Sequence, residues 1–249
     1  MSTVEKWVTT TEALVAAIEE GVSKIVVSGR LSNVPSLHLS PGQSLCGAAE
    51  DSKIAFAEGV DGVEITSGNG IHNVHLCASP ERRAIFNDTT VSSLGRIALR
   101  SVTTHGRVQI LARDKVRGGH LEVNGLDIVT ADARAESERP HGYGVYVLQG
   151  AFTFWNMQRD EDVALSADLT RLSAGREGAP VRGSGIFIGG AGDLGGRLIV
   201  RRLETGPVYS DGGIPRETPD CISGGVFVVY GDTCGQRTQS RTGDDLWRQ

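Results

Sequence analysis

Three side chains suited to proton transfer sit at matching places in a repeated motif. The motif is a glycine followed by aliphatic, aromatic and aliphatic residues. It reads Gly144-Val145-Tyr146-Val147, Gly185-Ile186-Phe187-Ile188 and Gly225-Val226-Phe227-Val228, at intervals of about 40 residues. His141 and Arg182 each precede the opening glycine by three positions, and Asp220 precedes the third by five. An imidazole, a guanidinium and a carboxylate brought together can move a proton and stabilise the charge that develops. His141, Arg182 and Asp220 are therefore the candidate catalytic residues, weighed against their being ordinary loop residues. Tyr146, Phe187 and Phe227 are the candidate substrate-binding residues. If the flanking aliphatics point inward, the three aromatics stack outward as a platform; if the aromatics point inward, they are core packing.

The elements that must position these residues are short strands. Ile25 and Val27, Leu37 and Leu39, Ile54 and Phe56, Val63 and Ile65, Val74 and Leu76, Ile97 and Leu99, Val108 and Ile110, Leu121 and Val123, and Leu198 and Val200 all alternate with a neighbour of the opposite parity. Gly, Asn, Ser, Asp or Pro bounds each run. One helix precedes them. Thr9-Thr10-Thr11-Glu12 reads as a capping box with Thr9 at the cap, Leu14, Ala17 and Ile18 share a face, and Gly21 is the stop. Small-residue corners recur at Thr104-His105-Gly106, Thr130-Ala131-Asp132, Ser173-Ala174-Gly175 and Glu204-Thr205-Gly206. A sandwich has no reason to keep such a register, whereas parallel coils stacked about 4.8 Å apart do. The loops 131–143, 175–184 and 206–224 then leave one corner of the stack.

Composition narrows the function classes. The chain has 249 residues, 33 of them glycine, with 39% hydrophobic, 22% charged and 5% aromatic residues. That suits turn-rich β structure. A net charge of −5 gives no footprint for nucleic acid. No apolar stretch is long enough to span a membrane and Met1–Trp7 is polar, so no membrane partner and a cytoplasmic location are expected. The basic residues are mostly arginine, a bias associated with GC-rich bacterial genomes. Cys46, Cys77, Cys221 and Cys234 form no CxxC pair; Cys46 and Cys77 read as small buried thiols, and Cys221 and Cys234 could meet across a loop, although a reducing cytosol argues against a bridge. No Walker loop is present, and Gly183-Ser184-Gly185 surrounds a strand rather than opening a helix, so no nucleotide cofactor is expected. His72 and His75 are three apart in a strand and should face opposite ways, which leaves no metal site there. Glu136, Glu138, Asp211 and Glu217 make the loops acidic and could supply a weak cation site.

The helix, the run Ile25-Val26-Val27-Ser28-Gly29-Arg30-Leu31, the short strand at Leu37-His38-Leu39 and the segment Gln43-Ser44-Leu45-Cys46-Gly47 together resemble the opening of pectate-lyase-like right-handed β-helices. The resemblance spans residues 9 to 230 as pattern. It implies an all-β fold: a right-handed parallel β-helix over 24–230 with an N-terminal α-helical cap over 1–23, followed by a polar tail over 231–249 that reads as disordered or as a truncated cap. It also implies carbohydrate chemistry, as a polysaccharide lyase or glycoside hydrolase if the protein is an enzyme. The family's catalytic elements are not matched: Asn87-Asp88-Thr89 scrambles one, His105-Gly106 lacks its first glycine, and Arg-x-Lys does not occur. Two readings follow: a β-helix that binds or processes a polysaccharide or oligosaccharide, or a non-catalytic scaffold that forms homo-oligomers through its flank or uncapped end.

Overall fold

The computed structural model describes residues 4–133, 140–141, 145–146, 150–158, 162–190, 197–210 and 226–228, with the backbone alone at 140–141, 145–146, 190 and 226–228. The chain opens with β1 (Glu5–Val8), α1 (Thr11–Glu19), β2 (Lys24–Val27), β3 (Arg30–Val34), β4 (Leu37–His38) and β5 (Ser44–Gly47). It continues through β6 (Lys53–Phe56), β7 (Val63–Ile65), β8 (Gly70–Cys77), β9 (Arg83–Asn87), β10 (Arg96–His105), β11 (Arg107–Ala112) and β12 (Gly118–Thr130). Then come β13 (Pro140–His141), β14 (Val145–Tyr146), β15 (Gly150–Asn156), β16 (Ala164–Ala174), β17 (Ser184–Gly190), β18 (Arg197–Val208) and β19 (Val226–Val228).

The architecture is all-β and mostly parallel, with one helix among the described residues. A ten-stranded sheet has the order β1-β2-β5-β8-β10-β12-β16-β18, with β3 and β6 attached beside it, and a seven-stranded sheet runs β19-β17-β15-β11-β9-β7-β4. From β6 onward, β13 and β14 apart, the chain returns alternately to one sheet and the other, and each new strand lies parallel beside its predecessor in that sheet. Period-two alternation does the sorting. Leu45, Ile71, Leu99, Val123 and Leu169 are wholly buried or nearly so, and they stack one above another across the strands. Each such side chain contributes about 1.5–3 kcal/mol by leaving water, and one continuous core runs from Val8 to Leu203. Every alternating pair expected from sequence lies in or directly beside a strand, with its residues buried or packed on that core.

Helix α1 buries Leu14, Ala17 and Ile18 against this core. Its cap is Thr10 rather than Thr9: the Thr10 hydroxyl accepts from the Ala13 amide at 3.2 Å. The expected box therefore fails, because Ala13, not Glu12, occupies the third helical position. Strand β1, at the edge of the ten-stranded sheet, was not expected, since its four residues are too short to show a period.

The expected three-fold repeat is corrected in its first copy. Ile186 and Val226 are parallel neighbours, as are Phe187 and Phe227. Val145 and Tyr146 instead pair antiparallel with His141 and Pro140 in a separate two-stranded sheet. The neighbour of Ile186 on its other side is Phe152, in β15. The hydrophobic spelling of β14 imitates that of β17 without sharing its register.

Candidate binding groove

A column of left-handed residues bends the ten-stranded sheet lengthwise. Asn73 (φ 51°), Ser101 (φ 52°), Gly125 (φ 84°) and Arg171 (φ 55°) fall at one level of β8, β10, β12 and β16. This conformation is uncommon outside glycine and resets the alternation of the strand. His72 and His75 therefore both face outward, on either side of the bend, while Ile71, Val74 and Leu76 are buried. The expectation that these two histidines point to opposite faces is corrected by the Asn73 backbone.

Beyond the bend, the outward residues form columns. His75 lies beside Lys53 and Thr103, Thr103 beside Asp127, and Asp127 beside Ser173. Two positions on, Cys77 lies beside His105. A groove of about 390 Å³ follows the bend, lined by Asn73, His75, Ser101, Thr103, Asp127 and Arg171 among others. Arg171 donates to the Asn124 amide oxygen at 2.5 Å. The Ser173 hydroxyl donates to Asp127 Oδ1 at 2.8 Å, and Arg176 Nη2 is 3.5 Å from Asp127 Oδ2. His105 Nδ1 contacts the Thr130 hydroxyl at 3.1 Å.

Burial lowers the pKa of His105 below its ordinary value, and the positive charges of Lys53, Arg176 and His75 act in the same direction against Asp127. An imidazole kept neutral can accept a proton at neutral pH. Burial likewise pushes the Cys77 thiol up, with Lys53 opposing, so this thiol is a poor nucleophile. On the adjoining face, Glu122 bridges Arg96 (2.5 Å) and Arg100 (2.7 Å). The hydrogen bond from Arg96 and then that from Arg100 hold its carboxyl below the usual range against burial. The groove thus offers cations, hydroxyls and an amide around two carboxylates, Asp127 and Glu50.

Of the three candidate catalytic residues, only Arg182 has a side chain among the described residues. Arg182 bridges in parallel to Asp132, and its guanidinium is 4.0 Å from that carboxylate. The backbone of His141 belongs to the separate two-stranded sheet. Asp220 lies outside the described residues, as do Glu136, Glu138, Asp211, Glu217, Cys221 and Cys234. Phe187 faces away from the core residues Ile186 and Ile188, as an outward ladder requires, but is only 2% exposed. It stacks on Trp155 with ring centroids 4.7 Å apart. Beside it in register lie Thr153 and Phe227, not Tyr146. A covered ring offers a sugar no open face, so the platform reading is corrected at Phe187.

Among the described residues no group of three His, Cys, Asp or Glu is placed to hold a metal ion, and no helix is long and apolar enough to cross a membrane. Cys46 and Cys77 are free and half-buried, less enclosed than expected. No family model matches the chain, and neither does any curated protein or solved structure.

Proposed function

We propose that this chain is a right-handed parallel β-helix, closed over its first coil by α1, that binds an acidic oligosaccharide along the bend groove. The observation that supports this most is the stacked polar column His75, Thr103, Asp127 and Ser173 flanked by the cations Lys53, Arg171 and Arg176. Its repeat along the stack is one strand spacing, about 4.8 Å. A linear polymer lying along the axis would meet a new set of donors at each step, and its carboxylates would meet the arginines. Asp127, His105 and Arg176 supply near one another the three side-chain types sought at positions 220, 141 and 182. In this reading neutral His105 is the proton acceptor if the bound sugar is also cleaved.

The scaffold reading draws on a different observation: the edge strand β1 carries the exposed Trp7. A panel of acidic and neutral oligosaccharides, with an assay for uronate release, separates the two. The groove reading expects binding of acidic members that Asp127→Asn and Arg171→Ala weaken. Binding of none of them, together with concentration-dependent oligomers, supports the scaffold.

A further inference from the structure

We propose that Trp7 is a sugar-stacking subsite at the far end of the face that adjoins the groove across the bend, so that ligand affinity depends on chain length. The inference rests on the groove reading and extends it to a part of the chain that the groove does not touch.

Trp7 is 61% exposed, which is unusual for the largest apolar side chain. Its sheet neighbour is Val26, and Val26 pairs with Cys46, Cys46 with His72, and His72 with Arg100. Trp7 therefore belongs to the row that ends beside the bend. Inward neighbours confirm its direction: Val8, Ile25 and Val27 lie in the core, so Trp7 faces out. Val26 beside it is only 4% exposed.

The indole is also held in place. Its N–H donates to Glu5 Oε1 at 2.8 Å, and Lys24 Nζ donates to Glu5 Oε2 at 2.7 Å. An exposed, oriented indole presents a broad apolar face beside a polar edge, and that is what a sugar ring stacks on. From β1 to β8 is three strand steps, about 14 Å. A short oligomer in the bend groove does not reach Trp7, whereas a longer one that continues from the bend along the adjoining face does.

The test is calorimetric titration of the full-length chain with acidic trisaccharides and hexasaccharides of one repeat. Trp7→Ala should weaken hexamer binding about tenfold, or about 1.4 kcal/mol, and leave the trimer unchanged. Trp7→Phe should recover most of the loss, and the hexamer should shift tryptophan emission in the wild type but not in Trp7→Ala. Equal hexamer affinity for Trp7→Ala, with affinity still lost in Arg171→Ala, overturns the subsite and leaves the groove standing. Failure of the wild type to bind any acidic oligomer removes the groove and the subsite together. Loss of self-association in Trp7→Ala with unchanged hexamer affinity also overturns it, and makes Trp7 an interface residue.

Discussion

The outer faces of the two large sheets are built from the same alternation and end in opposite states. On the ten-stranded sheet the outward positions from β10 to β16 are largely polar: Arg96, Arg100, Glu122, Asn124, Asp127 and Ser173 are exposed or half-buried. On the seven-stranded sheet the face is open at its beginning, where His38 Nδ1 meets Glu64 Oε2 at 2.8 Å. From β9 to β17 its central row is covered. Phe86, Gln109, Thr153 and Phe187 lie in one register row and are each less than 9% exposed. The contrast separates the open polar face that carries the proposed groove from the covered face that holds the molecule together. It also explains why the aromatic repeat misleads: aromatic residues on the seven-stranded sheet mark covered surface.

The largest expected effect is on the closed face. Phe187→Ala should cost about 3–5 kcal/mol in denaturant unfolding, because it removes the ring stacked on Trp155. A cost close to zero would mean that the face is not covered. Next comes Gly189→Ala, whose added Cβ would run into the Trp155 ring. It should cost about 1–3 kcal/mol, readable as a lower melting temperature, whereas Thr103→Ala on the open face should stay within about 0.5 kcal/mol.

A smaller effect concerns pH. Burial lowers the pKa values of His105 and His72 below the ordinary histidine value of 6.5. The unfolded chain then binds protons first as pH falls, so stability is full above that value and declines between it and the lower folded values. His105→Gln should flatten this decline in unfolding midpoints measured between pH 7 and 5. An unchanged slope would mean that His105 is solvated like an ordinary surface histidine.

Sequence made most of the inward residues legible, because alternation such as Ile97-Ala98-Leu99 has one physical meaning wherever one face is dry. It also carried a signal for the closed face that is easily overlooked. Ala151-Phe152-Thr153-Phe154 is apolar at both parities apart from one threonine. A run of that kind belongs to a strand covered on both sides. The bend was not legible. Asn73 and Gly125 are ordinary left-handed residues, but Ser101 and Arg171 hold the same conformation with no compositional mark. Because the bend resets the alternation, sequence does not place the groove that follows from it and points instead to the 131–143, 175–184 and 206–224 loops. Register was the other loss: variable loop lengths let Val145 pose as a neighbour of Ile186.

Arg171 offers the most direct test of the groove. It holds φ 55° at the level where β12 has Gly125, a conformation costing a non-glycine residue about 1–3 kcal/mol. Its guanidinium, held by the Asn124 amide oxygen, is the cation that the proposed binding would use. The measurement is a paired one on Arg171→Gly: melting temperature, and calorimetric affinity for an acidic hexasaccharide that the wild type binds. An equal or higher melting temperature with affinity reduced at least about tenfold is the predicted result. Unchanged affinity would contradict the groove as the binding site.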